Sequence, residues 1–115
     1  MSDSILTSVK KALGIDEDYT AFDPDITMHI NSILATLNQI GVGPDLGFVI
    51  EDKNATWDDL LDGDLRLTFV KTYLYTKVRL IFDPPATSFA IQAQTEVAKE
   101  LEYRIYTARE VEKWT

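Results

Sequence analysis

The sequence predicts an all-α single domain of four main helices and one short helix. Three observations carry this. Apolar residues recur every three or four positions in four separate stretches, which is the period of a helix with one buried face. Glycine and proline fall between those stretches, where helices start and stop. The chain of 115 residues is 45 % hydrophobic, enough for one core at this length and against intrinsic disorder despite a net charge of −8.

The first helix is predicted from Ile5, Leu6, Val9 and Leu13, behind Asp3 or Ser4 as cap, with Gly14 as the stop. An acidic connector, Asp16, Glu17 and Asp18, leads through residues 19–22 to Asp23-Pro24. That pair predicts the second helix, with Asp23 as N-cap and Pro24 at the first helical position. Its apolar face is Ile26, Ile30, Ile33, Leu34, Leu37 and Ile40, and Gly41 ends it.

Residues 41–47 hold three glycines and a proline, so they read as a loop. Phe48, Val49 and Ile50 predict a short extended segment within residues 41–52, which cannot form a sheet alone. Thr56-Trp57-Asp58-Asp59 resembles a capping box with Asp in place of Glu, opening a short helix that stops at Gly63. The third long helix is predicted over 64–82 from Leu67, Val70, Leu74, Val78 and Ile81, and Asp83-Pro84-Pro85 ends it. The last helix starts at Thr87 or Ser88 and runs through Ala90, Ala93, Val97, Leu101, Ile105 and Ala108, with Glu100 and Arg104 as an i,i+4 pair. Residues 1–115 therefore read as one helical domain, with 106–115 as a partner-docking or disordered tail.

Composition excludes several kinds of chemistry. There is no cysteine, hence no disulfide framework, zinc-thiolate site or cysteine nucleophile. The start of the chain lacks the apolar run of a signal peptide, and no segment approaches the ~20 apolar residues of a membrane span, so a soluble intracellular protein without a membrane role is expected. His29 is the single histidine and has no catalytic partner of its own kind, so it reads as a packing or surface residue. The run from Asp58 to Asp64 fails as a calcium loop: aligning Gly63 with the sixth-position glycine puts Leu60 third and Phe69 twelfth. The glycines at 41, 43 and 47 do not follow a strand and precede no Lys-Ser/Thr pair, which excludes a phosphate-binding loop. Tyr73 and Tyr75 stand near Lys71, Lys77 and Arg79, but their spacing sends them to different helix faces and argues against a base-stacking platform. No catalytic residue, cofactor or metal is expected, and the protein reads as a non-enzyme.

Charge is divided unevenly. Residues 1–64 carry 13 acids and 3 bases, a net of −10, while residues 65–115 carry 8 bases and 6 acids, a net of +2. An acidic excess disfavours a direct grip on nucleic acid, which needs clustered cations.

Several connected segments resemble the small head–tail connector (adaptor, head completion) proteins of tailed bacteriophages and prophages, particularly those of Gram-positive hosts. They are residues 9–15, Asp18-Tyr19, Phe22-Asp23 with Asp25-Ile26, 38–44, 48–52, 55–60, 70–75 and 78–85. The resemblance spans about residues 5–105 and lies in the order and spacing of structural motifs. It implies a mainly α-helical protomer in a ring, commonly twelve-membered in the virion, docked beneath the portal and extending the DNA channel toward the tail. It implies no catalytic residue, metal or cofactor. The implied partners are further copies of itself, the portal protein and a tail or neck completion protein, with DNA passing through unbound. The implied location is the head–tail interface of the virion, after synthesis in the host cytoplasm.

A head-to-tail ring needs two different faces on each subunit. The candidates for one contact are Asp58, Asp59 and Asp62 against Lys71, Lys77 or Arg79 of the next subunit. Phe48, Val49 and Ile50 are candidates for packing on their own domain or on a neighbour. Tyr103, Tyr106, Arg109, Val111 and Trp114 are candidates for docking on the portal, being rich in the residue types that dominate interface energetics. An acidic channel wall would also keep DNA from sticking. The alternative reading is a monomeric acidic regulatory or adaptor protein that covers a cationic partner surface.

Overall fold

The structure is a computed structural model that describes residues 4–44, 46–61 and 66–114, with side chains up to Thr107. It has five helices and, among the described residues, no strand: α1 (Ile5–Ala12), α2 (Asp23–Gln39), α3 (Trp57–Leu60), α4 (Leu67–Phe82) and α5 (Ser88–Trp114). The all-α architecture is the one the apolar periodicity predicts.

Helix α1 starts where a hydroxyl replaces a missing helical partner. Ser4 is the cap, its Oγ accepting from the Thr7 N–H at 3.2 Å. Asp3, the alternative, lies outside the described residues. Gly14 follows the last turn with φ +77°, a conformation that suits a residue without Cβ and explains the stop. Ile5, Leu6 and Val9 enter the core, and Lys10 is buried beside them.

Helix α2 corrects one expectation. Phe22, not Asp23, occupies the capping position, Pro24 is the second helical residue, and no side chain caps this end. The Asp23 carboxylate turns to Lys10 instead, with Oδ1 2.9 Å from Nζ. Ile26, Ile30, Ile33, Leu34 and Leu37 are buried as predicted, and Ile40 packs at the edge.

The Gly/Pro loop is held against α2 by two asparagines spaced seven residues apart, hence on one face of the helix. Asn38 Nδ2 donates to the carbonyls of Val42 (3.3 Å) and Pro44 (2.7 Å). Asn31 takes the place of a β-partner for the extended segment: Ile50 N–H donates to Asn31 Oδ1 (2.7 Å), and Asn31 Nδ2 donates to Ile50 O (2.9 Å). Gly43, at φ +86°, lies where an added Cβ would be 3.1 Å from Leu60 Cδ1. The positive φ therefore favours glycine there, and any Cβ would also press on the Leu60 side chain.

The capping box of α3 forms as predicted. Asp59 N–H donates to Thr56 Oγ1 (3.3 Å), and Thr56 N–H donates to Asp59 Oδ2 (2.9 Å). The helix ends sooner than predicted, its C-cap at Leu61; Gly63 lies outside the described residues. Trp57 is buried, and its Nε1–H donates to Ser8 Oγ (3.1 Å), which locks α3 to α1.

Helix α4 begins at Leu67, later than the predicted 64, with Arg66 before it and no side-chain cap. Val70, Leu74 and Val78 are buried as predicted, but Ile81 is 51 % exposed. The last buried residue of α4 is Val78, so its apolar stripe outruns the core by one turn. Tyr73 fills the interior instead.

Thr87 caps α5, its Oγ1 accepting from Ala90 N–H at 3.1 Å. This helix packs mainly on α4, which also packs on α2, while α1 lies across α2 and α4. A helix with one main neighbour buries a narrow face. The buried line is Ala98 and Ile105 with Leu101 beside them, whereas Ala93 and Val97 of the predicted stripe are exposed. The Glu100–Arg104 pair forms at 2.8 Å.

Candidate assembly surfaces

Alternation along an extended backbone sends successive side chains to opposite sides. With Ile50 bonded through its backbone to Asn31, its side chain goes inward and is buried, and Phe48 packs at the core edge. Val49 is left outward and 66 % exposed, and Leu46 is fully exposed nearby. Of the three apolar candidates, the structure presents only Val49 as a contact.

The charged candidates are arranged differently from a simple opposition of acidic and basic ends. Asp58 and Asp59 are exposed on α3, Asp59 engaged in the capping box; Asp62 lies outside the described residues. Lys71, Tyr75 and Arg79 are spaced i, i+4, i+8 on α4 and so share one face. The Tyr75 ring meets Trp57 edge-on at 6.0 Å, and Lys71 Nζ lies 5.4 Å from the Trp57 ring centroid. Lys71 is thereby brought beside α3 of its own chain. Lys77 is set apart, with Nζ 6.0 Å from the ring of Tyr73. Arg79 is exposed.

On α5, Tyr103 is 70 % exposed and Tyr106 is exposed with it. A cleft of about 450 Å³ runs beside Tyr103, bounded also by Phe69, Glu100, Arg104 and Thr107. The backbone of α5 continues through Arg109, Val111 and Trp114, whose side chains lie outside those described.

Three features have no counterpart in the sequence reading. The first is the Lys10–Asp23 pair, in which Lys10 Nζ also donates to Glu17 O at 2.9 Å. The second is Phe89, 82 % exposed on the outer side of α5. The third is the buried Tyr73 phenol, kept protonated well above its usual range by burial first and by the neighbouring Glu102 charge second. None had a local signal: the first and third depend on residues distant in sequence, and the second on which side of α5 faces α4.

Chemically, these surfaces offer apolar knobs, aromatic rings and fixed charges. His29 is half-buried on α2, and the described residues contain no cluster of three metal-ligating side chains. No helix among them is long and apolar enough to cross a membrane. Such a molecule is a helical protein whose exposed side chains offer surfaces for contacts.

The family model described as phage connector protein matches residues 5–112, and the chain belongs to that family. Membership makes it a bacteriophage structural protein with a head–tail connector role, and a component of the virion. No curated protein and no solved structure matches it.

Proposed function

We propose that the protein is a subunit of a ring, commonly twelve-membered in such connectors, that docks beneath the portal and extends the DNA channel toward the tail. The observation that carries this reading is the family match, which takes in α1 to α4 and nearly all of α5. Exposed large apolar side chains on the loop and on α4 and α5 (Val49, Ile81, Phe89, Val97 and Tyr103) support it, because subunit contacts would remove them from water. In this reading the outer face and C-terminal end of α5, with Tyr103, Tyr106, Arg109, Val111 and Trp114, meet the portal. A tail or neck completion protein binds the other rim. The excess of acids keeps the channel wall from holding DNA. The protein would then act at the head–tail interface without any chemistry of its own.

Electron microscopy of the protein mixed with the portal encoded beside it tests this. Rings stacked coaxially on the portal are the expected result. Portals that remain bare at saturating protein reject the reading.

A further inference from the structure

Resting on the ring reading, we propose which two surfaces meet between neighbouring subunits: the 46–52 loop of one copy seats in a cationic groove formed by α1, α4 and α5 of the next.

The groove is continuous. A cleft of about 550 Å³ between α1 and α4 and one of about 230 Å³ between α4 and α5 share Ala12 and Tyr75 as common walls. Lys11 lines the first and Arg79 the second, and Lys71 stands one helical turn before Tyr75 on the same α4 face. Lys71 lies over the Trp57 ring, whereas neither Lys11 nor Arg79 is ion-paired among the described residues. Glu17, at the α1 end, is the acid among the described lining residues, so two cations face one carboxylate and the groove lining is net +1. Its apolar floor is Ala12 and Val97, the latter 46 % exposed. A groove with unpaired cations over an apolar floor fits a segment that offers apolar side chains followed by carboxylates.

The chain itself carries such a segment. Residues 46–52 have Leu46 and Val49 outward, then Glu51 and Asp52 exposed, and no base, for a net of −2. The backbone is already fixed by the Asn31 bonds to Ile50, so little ordering entropy opposes docking. The loop also belongs to a different side of the molecule from the α4–α5 cleft. It hangs on α2, whereas α5 packs mainly on α4. The loop's Glu51 and Asp52 border the same Thr7 and Glu17 that line the α1 end of its own groove, so it is the α4–α5 end that a second copy fills, in a contact that repeats from copy to copy in the heterologous manner that closes rings.

The absence of cysteine makes the contact directly testable in the full chain. The double variant Val49→Cys/Val97→Cys, mildly oxidised, should give a covalent ladder on a denaturing gel that extends beyond dimers, while each single variant stops at dimers or below. Separately, Lys11→Glu/Arg79→Glu should weaken self-association at low salt at least about tenfold by light scattering. Mixing it with Glu51→Lys/Asp52→Lys should restore association, with circular dichroism confirming that both variants are helical. If the wild type oligomerises but neither ladder nor charge dependence appears, the proposed contact is overturned and the ring stands. If charge reversal spares self-association and abolishes binding to another virion protein, the groove has a different occupant and the proposal is likewise overturned. A chain that stays monomeric and unlinked, with or without the portal, overturns the contact and the ring reading together.

Discussion

Lys10 Nζ sits 2.9 Å from Asp23 Oδ1, with the lysine side chain 3 % exposed and the aspartate 28 % exposed. The pair joins the last turn of α1 to the first of α2 across the acidic connector, and the two partners are not equivalent. Removing the carboxylate leaves an ammonium inside the protein with only the Glu17 carbonyl. Removing the ammonium leaves Asp23 Oδ1 buried, on a side chain that water reaches elsewhere. Asp23→Asn should therefore cost about 3 kcal/mol, and Lys10→Met about 1 kcal/mol. Urea unfolding monitored by circular dichroism measures both, and an equal cost for the two would refute the asymmetry.

Tyr73 gives stability a specific alkaline limit. Its phenol titrates above its unfolded value of 10.0, because burial and then Glu102 disfavour the phenolate in the folded state. Below pH 10 the tyrosine is neutral in both states and its contribution is fully present. Above pH 10 the unfolded chain loses this proton and the folded one keeps it, so stability falls as pH rises. Tyr73→Phe should show a shallower decline between pH 10 and 11.5 than the parent, measured as the unfolding midpoint in urea. Identical slopes would assign the alkaline decline to other groups.

Asn31 holds the extended segment by two hydrogen bonds to the backbone of one residue, Ile50. At about 1 kcal/mol each, Asn31→Ala should cost about 2 kcal/mol. Amide exchange at residue 50 should accelerate well before exchange in α4. Uniform acceleration through the helices would mean that the loop and core unfold as one unit.

Neighbours Val49 and Ile50 should respond oppositely to the same charge. Val49→Asp places a carboxylate in water and should shift stability by no more than about 0.5 kcal/mol while reducing self-association. Ile50→Asp buries it without a partner and should cost several kcal/mol or prevent folding. Comparable melting temperatures for the two variants would contradict the alternation along this segment.

Local patterns were legible in the sequence, and partnerships across the chain were not. The α3 capping box needs only Thr56 and Asp59, three residues apart, and it forms as written. The α2 stripe is right because that helix packs on both α1 and α4. The α5 stripe holds at Leu101 and Ile105 but fails at Ala93 and Val97, because the period fixes the angle between side chains but not how many neighbours a helix has. Asp23 followed by Pro24 resembles a cap, yet Lys10, thirteen residues earlier, competes for the carboxylate and wins. Among the candidate contacts, Lys71 and Arg79 could be placed on one face by their spacing. That the face borders Trp57, and that Val49 alone of its trio points outward, depends on bonds spanning long stretches of sequence.

The two asparagines grip the Gly/Pro loop only by main-chain atoms: the carbonyls of Val42, Pro44 and Ile50, and the Ile50 amide. Nothing in that grip reads the identity of Leu46, Val49, Glu51 or Asp52. The tip is thus a mounting bracket, whose fitting can be exchanged while the bolts stay in place. Related connectors could diverge there rapidly to match new neighbours, and foreign peptides could be displayed there without rebuilding the helices behind them.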